Sequence, residues 1–183
     1  MKSQEKIRSI TYMALMIALY AVLKFAGMYI PFLQMPNGGS IELELVPVFV
    51  ASYFLGWKKG AAVAMLGWLV TFLLGFEMWF VRPMQVLLDY ILPLLACGLA
   101  SLYWHGSYRC HVGVAVAMIL KFVSQVLSGV YYWPPEGGVA GSGAAWAYSL
   151  SYNLWYNLAT LVVCIILVPL LISRLEKSGV SAR

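Results

Sequence analysis

Long apolar runs with almost no charge are the feature that most constrains this chain. Of its 183 residues, 62% are hydrophobic and 10% are charged, whereas a soluble domain carries roughly 25% charged residues. A membrane-spanning helix needs about 20 apolar residues, so the chain has room for six or seven spans with short loops. The sequence therefore predicts an all-α integral membrane protein, with residues 1–183 forming a single domain. This composition excludes a cytosolic enzyme and a disordered tail.

Polar breaks rich in proline and glycine divide the chain into six apolar runs. The runs cover residues 7–29, 43–57, 61–76, 84–104, 112–133 and 148–172. Each run is the expected position of one transmembrane helix, although the second and third are short for a complete span. We therefore expect six transmembrane helices in a lipid bilayer.

The distribution of basic residues predicts the orientation of these helices. With the N-terminus in the cytoplasm, the outer segments contain one basic residue, Arg82. The inner segments then contain Lys2, Lys6, Arg8, Lys58, Lys59, Arg109, Arg174, Lys177 and Arg183. Cytoplasmic loops of membrane proteins carry the excess of lysine and arginine, so both termini are expected in the cytoplasm. The net charge of +5 thus reflects topology, and we expect no nucleic-acid partner.

Acidic and aromatic residues gather toward the expected outer side. Glu42, Glu44, Glu77 and Glu136 lie there, and aromatic residues crowd the outer ends of the third to sixth runs. An acidic rim would concentrate cations, and aromatic rings commonly line ligand pockets. A belt of aromatic residues at the membrane interface is the alternative explanation.

Three ionisable residues, Lys24, Asp89 and Lys121, fall inside apolar runs. Such residues are costly in lipid, so they face the protein interior and pair or bind something. Asp89 follows Pro83 by six residues, which places it about 9 Å along a helix, within reach of a ligand from outside. Either Asp89 accepts hydrogen bonds from a cationic or amino-bearing ligand, or it forms a structural pair with Lys121.

Polar residues at helical spacing extend this pattern. Gln125 follows Lys121 by four positions, and Asn157 follows Asn153 by four, with Tyr148 just before this pair. Such a line of amides and phenols can bind a polar heterocycle, or it can join helices to one another. Ala14 and Ala18 form a small-xxx-small pattern, which serves either internal packing or the docking of another membrane subunit.

Sequence signatures of enzymes are missing from the chain. It contains no Walker A, His-Glu-x-x-His, Gly-x-Ser-x-Gly or Cys-x-x-Cys motif, so we expect no catalysis, metal or cofactor. The three cysteines, Cys97, Cys110 and Cys164, have no metal-like spacing and are expected to be inert.

Five short segments occur in an order that is informative as a set. They are GGSI (38–41), VPVF (46–49), PMQVLLDY (83–90), SGVYYW (128–133) and WAYSLSYN (146–153). Together they resemble the thiamine-specific substrate-binding (S) component of energy-coupling factor vitamin transporters. The resemblance covers nearly the whole chain, and the LLDY and YSLxYN pieces are the most specific.

The resemblance implies a six-helix protein of the cell membrane that captures thiamine from outside the cell. Its implied partners are an energy-coupling transmembrane subunit and two ATP-binding subunits. It implies that Asp89 holds the aminopyrimidine ring and that Ala14 and Ala18 dock the transmembrane partner. The other implied pocket residues are Tyr90, Trp133, Tyr148, Asn153, Gln125 and Trp79.

Some positions depart from the family pattern. Asp89 stands where many members have glutamate, Gln125 stands where histidine is common, and Glu42 and Glu44 are more acidic than usual. These changes leave open another cationic or heterocyclic vitamin, or a thiamine precursor. A stand-alone proton-coupled carrier is a further alternative, although such carriers usually contain inverted repeats that this sequence lacks.

The glycine-rich segment 134–145 has little side-chain bulk. Few packing contacts allow local motion, so we expect this loop to be mobile and to close over the pocket as a lid. Trp133 would then stack on the ligand.

Overall fold

The computed structural model describes residues 2–36, 39–76, 78–103 and 109–178. Gly38, Glu77 and Arg183 lie outside these ranges. Six helices make up most of the described chain: α1 (Lys2–Tyr29), α2 (Leu45–Leu55), α3 (Trp57–Leu73), α4 (Pro83–Gly98), α5 (Arg109–Tyr132) and α6 (Gly143–Lys177). A 3₁₀ turn, Pro31–Leu33, follows α1, and a short helix, Ala100–Tyr103, follows α4.

The all-α membrane architecture is confirmed, and each helix corresponds to one apolar run. By length and composition, Gln4–Tyr29, Cys110–Tyr132 and Gly143–Lys177 can cross a membrane, while Leu45–Leu55 and Pro83–Gly98 are shorter apolar helices. The number of complete spans, the cytoplasmic termini and the single domain stay predictions.

Helix α6 is longer at both ends than its apolar run. The hydroxyl of Ser142 accepts a hydrogen bond from the Ala145 backbone at 3.2 Å, which caps the helix and starts it at Gly143. Its 35 residues extend about 50 Å, more than the hydrocarbon thickness of a bilayer. Hydropathy detects only the apolar middle of such a helix, and the loop between α5 and α6 is correspondingly shorter than the segment 134–145.

Helix α2 lies at the centre of the bundle. Ten of its eleven residues are buried, and it contacts α1, α3, α4 and α6. An α-helix that is apolar on every side is suited to such a position, because no face of it needs water. Val48, Phe49 and Ala51 on this helix are fully buried in the core.

Glycines let α3 and α4 approach closely beside α2. A Cβ atom at Gly98 would lie 2.6 Å from Ala61 Cα, and one at Gly60 would lie 2.4 Å from the Gly98 carbonyl oxygen. Both distances are shorter than a van der Waals contact, so any side chain here would push the backbones apart. The two glycines fix the spacing of these helices on the side away from the loops 78–82 and 133–142.

Candidate ligand-binding site

A cavity of about 600 Å³ opens between the six helices, on the side of the loops 78–82 and 133–142. This is the size of a pocket for a small organic molecule. All seven pocket residues named from the sequence line it: Trp79, Asp89, Tyr90, Gln125, Trp133, Tyr148 and Asn153. Residues far apart in the chain thus meet around one space, whereas Ala14 and Ala18 lie exposed on α1.

Asp89 lies in the wall of the cavity, half-buried on α4. Its Oδ2 atom accepts hydrogen bonds from Gln85 Nε2 at 2.5 Å and from the indole Nε1 of Trp133 at 3.3 Å. Both donors are neutral, and Asp89 forms no ion pair with any residue in the described ranges. The cavity therefore contains a carboxylate that has no cationic partner among the described residues.

A local π-helical turn places Asp89 and Tyr90 in the wall. The helix widens over Leu87–Ile91, and the backbone N–H of Leu92 donates to the Leu87 carbonyl. Pro93 lacks an N–H and its ring crowds the Asp89 carbonyl four residues earlier, which favours this widening. The Ser124 hydroxyl donates to the Leu88 carbonyl at 2.6 Å, so α5 supplies a hydrogen bond within the turn. Such turns are frequent at functional sites.

Tyr90 joins the turn to the loop 78–82. Its hydroxyl accepts a hydrogen bond from the Trp79 backbone N–H at 3.0 Å. Its ring lies 5.7 Å from Phe80 and 6.4 Å from Trp68, measured between centroids. Tyr90 and Trp68 line the cavity, Phe80 packs beside Tyr90, and Trp79 also lines the cavity and is 70% exposed.

Helix α6 lines another part of the cavity with three tyrosines and Asn153. Tyr148 and Tyr152 stack at 6.2 Å, and Tyr156 meets Tyr152 edge-on at 6.1 Å. The Tyr156 hydroxyl donates to Asn153 Oδ1 at 2.5 Å, and Asn153 Nδ2 donates to the Ser149 carbonyl at 2.9 Å. The amide of Asn153 is thus held in one orientation by its own helix.

Lys121 is the centre of a buried polar cluster below these rings. Its Nζ atom lies 2.7 Å from Glu42 Oε2 and donates to Gln125 Oε1 and Asn157 Oδ1, each at 2.8 Å. The residue is 2% exposed, and its ammonium lies 5.2 Å from the centroid of the Tyr156 ring. A buried ammonium needs such a set of acceptors.

The sequence left open a structural ion pair between Asp89 and Lys121. That alternative is wrong, because Lys121 forms its ion pair with Glu42. The Glu42 backbone N–H donates to the Thr160 hydroxyl at 3.0 Å, which ties the segment before α2 to α6. Glu44 pairs with Lys24 at 2.8 Å and is buried. Glu42 and Glu44 therefore form two ion pairs inside the protein, and they are not the exposed acidic rim that the sequence suggested.

The polar cluster also orients Gln125. Its Oε1 atom accepts from both Lys121 Nζ and Asn157 Nδ2, the latter at 3.0 Å. An amide oxygen that accepts two hydrogen bonds is fixed, so its NH₂ group points the other way. Gln125 also lines the cavity, and its NH₂ group donates to no acceptor that the described residues supply.

Sequence reasoning missed Gln85, which is fully buried beside Asp89. Its signal was its position four residues before the in-span acid, the spacing at which helical side chains meet. Helical spacing alone could not distinguish it from other residues on that face.

Comparisons with known proteins identify the family. A family model described as "Thiamine transporter protein (Thia_YuaJ)" matches residues 10–179. The thiamine transporter ThiT of Bacillus subtilis (strain 168) is 30% identical over 154 residues, which cover 76% of this chain and 78% of that protein. A solved structure of ThiT from Listeria monocytogenes matches with a TM-score of 0.63 at 20% identity, covering 90% of this chain and 96% of that one.

These matches bear on both the fold and the family. The structural match shows that this chain and the Listeria protein share a fold, and the family resemblance found in the sequence is confirmed. The chain therefore belongs to the thiamine transporter family, whose members are multi-pass proteins of the cell membrane that act in transport.

Proposed function

We propose that this protein captures thiamine from outside the cell in the 600 Å³ cavity, as the substrate-binding component of an energy-coupling factor transporter. The observation that carries the proposal is the Asp89 carboxylate, which has no cationic partner among the described residues and lies in a wall of aromatic rings. Thiamine combines a cationic thiazolium with an aminopyrimidine, so it offers both a charge and an N–H donor to this wall.

The energetics of the cavity suit such a ligand. Each aromatic face that contacts a cationic ring contributes about 0.5–2 kcal/mol. A carboxylate that accepts an N–H hydrogen bond forms one of the stronger polar contacts in proteins. The Gln125 NH₂ group adds a donor for a ring nitrogen or a hydroxyl of the ligand.

The experiment is calorimetric titration of the purified chain alone, in detergent, with thiamine. We expect tight binding with one site per chain, because the cavity is formed within a single chain. Mass spectrometry of small molecules that co-purify with the protein provides an independent identification. Absence of both thiamine binding and co-purified thiamine would contradict the proposed ligand.

A second candidate ligand is another cationic or heterocyclic vitamin, or a thiamine precursor. Gln125 favours this candidate, because its oriented NH₂ group is a donor where a histidine could also accept. Competition titrations against labelled thiamine separate these ligands. A ligand that displaces thiamine at lower concentration than thiamine itself would take its place in the proposal.

Uptake is proposed to require the energy-coupling transmembrane subunit and two ATP-binding subunits. The face of α1 around Ala14 and Ala18 is exposed together with Leu15, Leu19 and Val22, which supports its use as the docking surface. A stand-alone carrier would transport thiamine in proteoliposomes that contain this chain only. We expect binding but no accumulation in such vesicles.

A further inference from the structure

The amide of Gln85 has one possible orientation. Its Oε1 atom accepts a hydrogen bond from the Val81 backbone N–H at 3.1 Å. A backbone N–H can only donate, so this contact identifies the oxygen end of the amide. The Nε2 end must then face Asp89, where it donates to Oδ2 at 2.5 Å. Gln85 is fully buried, so the glutamine end of each hydrogen bond is shielded from water.

These contacts divide the two oxygens of Asp89 between different tasks. Oδ2 receives Gln85 Nε2 and, at 3.3 Å, Trp133 Nε1. Oδ1 receives no hydrogen bond from the described residues. A carboxylate that is held at one oxygen has little rotational freedom left, so a ligand that binds the other oxygen does not have to immobilise it.

We infer that Gln85 is a positioning residue of the binding site, which holds Asp89 so that Oδ1 is presented to an amino group of the ligand. The inference rests on the proposed function, since it concerns the same cavity. Gln85 does not itself have to contact the ligand. Its effect on binding passes through the carboxylate of Asp89.

A purely structural role for Gln85 is the competing explanation. Gln85 is the third residue of α4, and its side chain reaches back to the residue before the N-cap, much as in a capping box. A cap stabilises the start of a helix but has no preference for one ligand over another. Ligand selectivity therefore separates the two roles.

The test compares two ligands on the purified full chain. One is thiamine, and the other is the analogue whose pyrimidine lacks the amino group. Gln85→Met keeps the side-chain volume and removes both hydrogen bonds. We expect it to weaken thiamine binding about tenfold, the loss of a hydrogen bond to a charged group, and to weaken analogue binding less than about twofold.

A double-mutant cycle locates the effect at Asp89. In the Asp89→Asn background, Gln85→Met should change thiamine affinity less than about twofold, because coupled residues are not additive. If Gln85→Met does not fold, Gln85→Glu replaces it. That variant keeps an acceptor for Val81 and makes two carboxylates share a proton, so thiamine should again lose more affinity than the analogue.

Equal losses for both ligands, or additive losses in the cycle, would overturn the inference and leave Gln85 as a cap. Failure of the wild-type protein to bind either ligand is a separate outcome. That outcome overturns the proposed function itself, and the inference falls with it.

Discussion

At the scale of single residues, Asp89 is a carboxylate without a cationic partner among the described residues, next to the aromatic rings of Tyr90 and Trp133. We expect Asp89→Asn to weaken thiamine binding by about 1.5–3 kcal/mol, the value of a hydrogen bond to a charged group. Calorimetry measures the change. Glu5→Gln, at an exposed position on α1, is the matched control for a lost negative charge. Unchanged affinity in Asp89→Asn would show that the ligand binds elsewhere.

Substitution of Lys121 tests how much the buried polar cluster contributes to the stability of the folded protein. Lys121→Met leaves the Glu42 carboxylate without its partner, and breaking a buried ion pair in this way costs about 3–5 kcal/mol. We expect a clear fall in the thermal unfolding midpoint in detergent. The double variant Lys121→Met/Glu42→Gln removes both charges and should recover most of the loss. A double variant as unstable as the single one would mean that the unpaired Glu42 carboxylate is not the cause of the loss.

These two residues show how far the sequence could predict the site. An acid or a lysine inside an apolar run is visible without a structure, because lipid rarely tolerates it. The partner of that residue is not visible. Glu42 reaches Lys121 because the segment before α2 is bound to Thr160 on α6, and contacts between distant parts of the chain leave no periodic pattern.

At the scale of secondary-structure elements, the π turn explains a further limit of sequence reasoning. A spacing of four residues predicts a shared face only in a regular α-helix. The wider turn over Leu87–Ile91 changes the angle about the helix axis between side chains before it and side chains after it. Helical spacing could therefore locate α4, but it could not predict which side chains beyond Asp89 face the cavity.

Backbone hydrogen bonds stabilise the loop between α5 and α6. Gly138 donates to Pro135 and Gly141 donates to Val130, at 2.8 and 3.1 Å, and Pro134 and Pro135 line the cavity. We expect saturating thiamine to slow cleavage of this loop by elastase, which cuts after small apolar residues such as those at 139–140. Ligand contacts would hold the loop against the bundle. Equal cleavage rates with and without ligand would argue against a lid.

Tryptophan fluorescence provides a second measurement of ligand binding beneath this loop. Trp133 borders the cavity, whereas Trp146 does not line it. Thiamine should quench the wild-type emission, and Trp133→Ala should reduce that quenching, whereas Trp146→Ala should retain it. The Trp133 variant is also expected to release ligand faster, because a stacking partner is lost.

Helix α1 is the element expected to contact the partner subunit. Ala14→Trp and Ala18→Trp add bulk to an exposed face, so helices could no longer approach closely there. We expect unchanged thiamine binding by the purified variants but no uptake in cells. Ile119→Trp, at an exposed position on α5, is the control for added bulk. Loss of binding together with uptake would instead assign the alanines to internal packing.

At the scale of the whole molecule, the contact between Gly60 and Gly98 sets the spacing of α3 and α4. We expect Gly98→Ala to destabilise the protein by about 1–3 kcal/mol, since the added methyl meets backbone atoms that cannot move independently. Gly143→Ala is the control, because a Cβ there has no neighbour within 4 Å. Thermal unfolding of both variants measures the difference, and equal midpoints would contradict the role of this contact.

The two ion pairs have an electrical consequence. Lys24 and Glu44 cancel, as do Lys121 and Glu42, so Asp89 contributes one negative charge to the buried part of the cavity, while Glu136 adds another at an exposed position of its lining. Bound thiamine, with its single positive charge, would offset Asp89 and make the buried part of the loaded cavity neutral. Membrane voltage acts on net charge, at about 2.3 kcal/mol per unit charge for each 100 mV. Loading would therefore remove the force that the membrane potential exerts on the buried part of the cavity. That force would return when the ligand leaves.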